Sequence, residues 1–393
     1  MNRTIYMPVG EVCSSISDTY REKKNMVTLI NTSDVLEGRV LNHERVPNSN
    51  LKGQFKKTFQ RDDILYSEIR PQNRRFAYVD FSPIDYIAST KLMVIRAKKD
   101  VVSPKYLYYF LKNSSTVAEL QLLAETRSGT FPQITFSEVA NLTIPVPSLA
   151  VQEVIVQTMQ CLEDKITCNE QINDNLEQQA QSYFQELFGD NADPEWAIGT
   201  ISDLGTVVGG STPSKAKPEY YTESGIAWIT PKDLSNNKSK FVSHGENDIT
   251  ELGLRNSSAS IMPEGTVLFS SRAPIGYIAI AAGEVTTNQG FKSVVPKPEI
   301  GTPFVYFFLK NTLPVIEGMA SGSTFKEVSG STMKNVPAVI PDAETLAKFS
   351  DFCAPIFAQQ RILEEQNQSL ATLRDNLLPK LMSGEIDVSA VQL

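Results

Sequence analysis

LAVQEVIVQTMQCLEDKITCNEQINDNLEQQAQSYFQELF, Leu149 to Phe188, decides the architecture, and a diverged copy of it occupies Ala343 to Met382, 194 residues later without a gap. Alternating steps of four and three from Ile155 pass through Met159, Leu162, Ile166, Asn169, Asn173, Leu176, Ala180, Tyr183 and Leu187, and eight of these ten positions are apolar. The same walk from Phe349 meets Cys353, Ile356, Gln360, Leu363, Asn367, Leu370, Arg374, Leu377 and Leu381, with seven of ten apolar. Apolar residues at that period form the seam of a coiled coil. A helix of about 40 residues is roughly 60 Å long, and its apolar stripe needs a partner in water. The other copy is the expected partner; the bland alternative is two unrelated helices with solvated stutters. Asn173 and Asn367 hold equivalent seam positions, where an amide costs stability but fixes register by requiring a polar neighbour. Pro355, without a counterpart in the first copy, is expected to kink the second helix or mark the start of its long part, and Pro379 to loosen its last turn.

The duplication extends outward from the helices. Pro104 to Asn113 (PKYLYYFLKN) answers Pro303 to Asn311 (PFVYFFLKN) with a one-residue gap, and Gly129-Thr-Phe131 answers Ser323-Thr-Phe325 at the same offset of 194. Asp63 to Ser67 matches Thr266 to Ser270, and Asn141 to Pro147 matches Asn335 to Pro341. A fixed offset of this kind marks repeated architecture. The chain therefore reads as a domain over 1–148, a helix over 149–190, a domain over 191–342, and a helix with tail over 343–393. At 393 residues each domain is large enough for its own core.

Net charge is −8 overall but unevenly spread: +5 over residues 1–148, −7 over 149–190, −3 over 191–342 and −3 over 343–393. A basic first domain and acidic helices suggest that the domains meet a polyanion and the helices meet protein. The second domain must concentrate its positive charge locally to do the same. Nothing near Met1 resembles a signal peptide, and no apolar run approaches the roughly 18 residues of a membrane span, so a soluble cytoplasmic protein is expected. Four cysteines, three of them on the helices, read as reduced thiols rather than a disulfide framework.

Short apolar or alternating runs between Asp63 and Ile95 read as strands, Ile64-Leu-Tyr66, Arg75 to Val79 and Leu92 to Ile95 among them, and residues 104–124 read as helical. The second domain, with turn residues every ten positions or so, fits a strand-rich α/β domain with helices near its end. Catalytic patterns are missing. Gly205 to Gly210 matches neither G-x-G-x-x-G nor G-x-x-x-x-G-K-[ST], His43 and His244 are the chain's two histidines, and no methyltransferase or nuclease motif stands in a convincing context. The expectation is a binding protein, not an enzyme.

DNA recognition needs Arg and Lys for phosphates and Arg, Lys, Asn or Gln for base edges. In the first domain the candidates are Lys56, Lys57, Arg70, Arg74, Arg75 and Lys91, with Arg127 in a Ser/Gly/Thr loop. In the second they are Lys232, Arg272, Asn288, Gln289 and Lys292, with Lys326 in the matching loop. Each group reads equally well as solvated strand ends, but its recurrence in both repeats favours function.

Trp196, Gly209-Gly-Ser-Thr-Pro213, Tyr220-Tyr221, Trp228-Ile-Thr-Pro-Lys-Asp233, Asn288-Gln-Gly-Phe291 and the tail Arg374 to Ile386 (RDNLLPKLMSGEI) together resemble the specificity subunit of type I restriction-modification systems, over essentially the whole chain. The first domain departs from the pattern: Leu29-Ile-Asn-Thr-Ser-Asp34 faintly echoes the Trp-Ile-Thr-Pro-Lys-Asp segment, and Ser89-Thr-Lys91 replaces Asn-Gln-Gly. The resemblance implies an α/β (α+β) fold of two tandem target recognition domains, separated by two long helices that pair as an antiparallel coiled coil with pseudo-twofold internal repetition. It implies a non-catalytic reader of a bipartite site in double-stranded DNA, in the cytoplasm of a bacterium or archaeon. Two modification (methyltransferase) subunits and restriction (translocase-endonuclease) subunits would be its partners, carrying S-adenosylmethionine, ATP and Mg that this chain does not hold. The spacer seam would comprise Ile155, Leu162, Ile166, Asn173 and Leu176 against Ile356, Leu363, Asn367, Leu370 and Leu377. The competing readings are a coiled-coil scaffold or nucleic-acid binder without sequence preference, the specificity part of a fused restriction-methylation system, and a fused methyltransferase or nuclease.

Overall fold

The structure, a computed structural model, describes residues 4–49, 53–126, 132–322 and 326–388. The chain forms two compact units, Met1–Ile166 with Ser369–Leu393, and Thr167–Gln368, so each long helix contributes one half to each unit.

In the first unit Ile64–Ser67 is wholly buried and runs at the centre of an antiparallel sheet ordered Cys13–Ile16, Leu92–Ala97, Ile64–Ser67, Phe76–Tyr78. Its continuous apolar run follows from burial on both faces: Ile64 and Tyr66 enter the core that includes Tyr106 and Ile155, while Leu65 enters a second core with Ile30 and Val79. A second sheet is ordered Val46–Pro47, Met26–Ile30, Tyr86–Ser89, Phe55–Lys57, with the central pair parallel. The ribbon Ile5–Pro8 with Thr143–Val146 closes the domain.

The second unit repeats this plan. Val267–Ser271 lies inside a sheet ordered Gly205–Gly209, Lys292–Pro296, Val267–Ser271, Ile275–Ala281, Phe241–Val242. Val267 and Phe269 again face one core and Leu268 another. Trp228–Ile229 pairs in parallel with Thr286–Thr287, as Met26–Ile30 does with Tyr86–Ser89, and Ala197–Thr200 forms a ribbon with Pro337–Ile340. Residues 104–124 are helical as expected, in two helices, Pro104–Lys112 and Ser114–Thr126, separated where Asn113 adopts an extended ψ of 138°; their second-domain relative, Thr302–Gly318, is continuous.

The first long helix spans Leu149–Gln185 and ends in a wide turn over Glu186–Asp190. The second spans Ala343–Ser383 and continues past Pro355 and Pro379. Neither proline ends it, and of the two roles expected of Pro355, a kink or the start of the long part, the second does not hold, because the helix already runs from Ala343. Both sit on the exposed side, so the rings need displace no packed neighbour, while Phe349, Cys353, Ile356 and Phe357 anchor the opposite face. None of the twenty positions met by the two heptad walks is exposed; Ile155, Ile356 and Leu363 are buried, and Leu162, Ile166, Asn173, Leu176, Asn367, Leu370 and Leu377 are half-buried. Within the second unit the helices run antiparallel: the Tyr183 ring meets that of Phe352 at a tilt of 52° with centroids 4.5 Å apart, Asn173 Nδ2 donates to the Gln360 carbonyl at 3.4 Å, and Asn169 Nδ2 donates to Asn367 Oδ1 at 2.8 Å. All four cysteines are free thiols, and burial pushes those of Cys13 and Cys353 up to about 12. Among the described residues no helix is long and apolar enough to cross a membrane.

Candidate nucleic-acid interface

The second domain builds its candidate site from scattered segments that converge. Thr230 caps a short helix, Pro231–Asn236: its N–H and Oγ1 donate to Asp233 Oδ2 at 2.7 and 2.6 Å, a reciprocal cap that fixes the turn after the Trp228–Ile229 strand. Asn288 N–H donates to the Ile229 carbonyl at 3.0 Å, and Asn288 Oδ1 accepts from the Gly290 N–H at 2.8 Å, which holds the Asn-Gln-Gly turn against that cap. Gly210 explains the glycine pair upstream. A Cβ there would stand 1.9 Å from the Asn288 carbonyl oxygen, so this is a packing glycine and not a phosphate loop. Trp228 Nε1 donates to the Ser211 carbonyl at 2.9 Å, Tyr221 Oη to the Pro213 carbonyl at 2.6 Å, and Thr212 Oγ1 to Gln289 Oε1.

The result is a cleft of about 450 Å³ lined by Lys232, Arg272, Asn288 and Gln289, together with Lys215 and Trp228. Four of the sequence candidates thus meet in one place. Lys232 pairs with Glu246 at 2.6 Å, both well exposed, and that hydrogen bond raises its pKa. Arg272 and Lys292 both approach Glu327, at 3.4 and 3.8 Å, and burial lowers the Lys292 pKa. Lys326 is exposed beside Glu327. Such a mixture of cations, carboxamides and one indole suits phosphate and base-edge contacts, and the Thr230 hydroxyl beside Asp233 is taken up by the cap.

The first domain carries the same construction in other residues. Asn31 caps the turn Thr32–Asp34 and its N–H donates to Asp34 Oδ2 at 2.7 Å, so Leu29 to Asp34 is the structural counterpart of the Trp-Ile-Thr-Pro-Lys-Asp segment. Lys91 reaches Glu68 at 3.4 Å and Gln133 Oε1 at 3.3 Å, and Gln133 lies 194 residues before Glu327. Arg70, exposed, and Arg74 adopt left-handed φ values of 43° and 51° around Pro71–Asn73; Arg74 donates to Ser114 Oγ at 2.9 Å. Lys56 is exposed. Two candidates tie the fold together: Arg75 donates to the Ser33 and Val35 carbonyls, and Lys57, half-buried, to the Thr90 and Leu92 carbonyls at 3.1 and 2.8 Å. Arg127 and the loop to Thr130 lie outside the described residues, as do residues 323–325 of the Ser321–Lys326 loop. Sequence reading missed Lys215, Glu246 and Glu327. Lys215 was within reach, two residues beyond the Gly-Gly-Ser-Thr-Pro run, but the carboxylates show their role only by what they touch.

No group of three His, Cys, Asp or Glu side chains that could hold a metal ion occurs among the described residues. His43 bonds Tyr86 and His244 bonds Asp248, each at a separate place.

The type I restriction modification DNA specificity domain family matches the chain twice, over residues 6–178 and 194–373. The chain is 29% identical to the type I restriction enzyme HindI specificity subunit of Haemophilus influenzae, over 92% of this chain and 94% of that one. It is 41% identical to the MjaIX specificity subunit of Methanocaldococcus jannaschii over 44% of this chain and 41% of that one. Among solved structures, the type I restriction-modification S subunit from M. genitalium shares the fold with a TM-score of 0.55 at 17% identity, covering 97% of this chain and 96% of that one.

Proposed function

Since this chain belongs to the type I restriction modification DNA specificity family, in two copies of its domain, we propose that it is the reader of a bipartite DNA site, one half-site to each domain. It is a specificity subunit; its task is DNA sequence recognition. The finer reading adds that it performs no chemistry itself. Modification subunits docked on it supply S-adenosylmethionine-dependent methylation, restriction subunits supply ATP-driven cleavage, and the complex works in the cytoplasm of a bacterium or archaeon. The observation that carries this reading is the repetition of one construction, a capped turn beside a cation-bearing corner, in two domains whose side chains at that corner differ: Lys232, Arg272, Asn288 and Gln289 in one, Arg70, Arg74 and Lys91 in the other. Similar scaffolds with different polar linings suit two unlike half-sites.

Competition binding at fixed salt tests it. The complex of this chain with its modification subunit prefers one duplex over random duplex by about 10³-fold or more, and the purified chain alone methylates nothing. Equal affinity for random DNA, or methylation by the demonstrably pure chain, overturns the reading.

A further inference from the structure

Lys240 is a lysine only 8% exposed, and the reading so far leaves it without a task. Its ammonium pairs with Glu177 on the first long helix and donates to Gln360 Oε1 on the second at 2.6 Å. It also lies 4.1 Å from the Phe357 ring centre and 4.8 Å from that of Tyr306. The backbone joins in: the N–H groups of Lys240 and Phe241 donate to the two oxygens of Glu364 at 2.7 and 3.0 Å. Glu177 in turn accepts from Tyr306 Oη at 3.1 Å and pairs with Lys310 at 2.5 Å, while Gln360 Nε2 donates to the Asn173 carbonyl at 3.1 Å. One residue of a loop is thus fastened to both long helices at the point where they fasten to each other.

That loop leads to the cleft. Phe241–Val242 adds a parallel edge strand beside Ile280–Ala281, and four residues on, Glu246 N–H donates to Asp233 Oδ1 at 2.9 Å and its side chain lines the cleft. Burying such a cluster is expensive. Burial works to raise the Glu177 pKa, and the two ammonium groups are needed to hold it below the usual carboxylate range; Glu364, with backbone donors in place of an ion pair, is raised by burial. Apolar residues of similar volume often serve stability as well as a buried ion pair or better, whereas polar groups that must meet particular partners fix geometry.

We propose that Lys240 is a positioning residue that locks the second recognition domain onto the helix pair, so that the gap between half-sites, and not their base sequence, depends on it. This rests on the bipartite reading above. The test is methylation-site mapping with the full chain and its modification subunit, for wild type, Lys240→Met, and the gentler Glu364→Gln, which keeps an oxygen for the backbone donors. Wild type methylates sites with one gap. Lys240→Met keeps both half-site sequences but accepts gaps one base pair shorter and longer, with preference for the original gap reduced at least tenfold, and Glu364→Gln moves the same way by less. Variants that retain the single gap, at whatever total activity, overturn the proposal, and if Lys240→Met does not fold, an unchanged gap in Glu364→Gln does so alone. A wild-type complex that methylates no bipartite site overturns the functional reading itself, which separates the two failures.

Discussion

Arg70 and Arg272 stand at equivalent corners, just past the central strands Ile64–Ser67 and Val267–Ser271 and at or beside a left-handed residue that precedes proline: Arg70 itself with φ 43° before Pro71, and Ala273 with φ 52° before Pro274. A non-glycine residue in that region costs on the order of 1–2 kcal/mol, so the corner is held by its surroundings. Arg272→Ala is expected to weaken specific binding by about 1–3 kcal/mol and relax only the second half-site; Arg70→Ala should do so only in the first. Binding and methylation mapping read this directly, and two variants with unchanged affinity and sequence preference would reduce both clusters to surface charge. The basic residues themselves were legible as candidates. Their employment was not: Lys57 looks like Lys56 in sequence, yet the donors of Lys57 and Arg75 end on carbonyls 33 to 42 residues away along the chain, a placement made by tertiary contact alone.

Elements were more legible than residues because the heptad period is a local signal summed over many turns. The two helices and the strands Ile64–Ser67 and Leu92–Ala97 follow from apolar spacing; the break at Asn113 and the passage of the second helix through Pro355 do not, because the packing that decides them comes from elsewhere in the chain. The amide seam gives a prediction at this scale. Asn169, wholly buried against Asn367, should cost stability and set register. Asn169→Leu is therefore expected to raise the melting temperature while loosening the alignment of the helices; a clear fall would show that the amide pair is net stabilising. Since Asn169 faces Asn367, heptads inserted after Ile166 and after Ser369 lie opposite one another and keep that contact. Each adds about 10 Å of helix at ~1.5 Å per residue, so the gap between half-sites should lengthen by up to about three base pairs at ~3.4 Å each. An active insertion variant with the original gap would show that the helices do not set the spacing.

For the whole molecule, the net charge of −8 conceals a basic first domain and strongly acidic helices, so DNA affinity is expected to come from local cation clusters and to fall steeply with salt. The logarithm of affinity should drop in proportion to the logarithm of salt concentration, with a slope of about −0.9 per phosphate neutralised; a flat dependence would remove the polyanion from the account. The duplication at an offset of 194 residues made the tandem plan legible before any contact was known. Cleft assembly was not, because Lys232, Arg272 and Gln289 lie up to 57 positions apart: the parallel pairing of Trp228–Ile229 with Thr286–Thr287 joins the first and last, and the Ser271 N–H bond to the Gly290 carbonyl brings in Arg272. Whether each domain reads one half-site is decided by mapping every base methylated by the complex of this chain with its modification subunit. One asymmetric site is expected, with two unlike half-sites at a constant gap; a continuous or palindromic site, or methylation without sequence preference, would show that the domains do not read one half-site each.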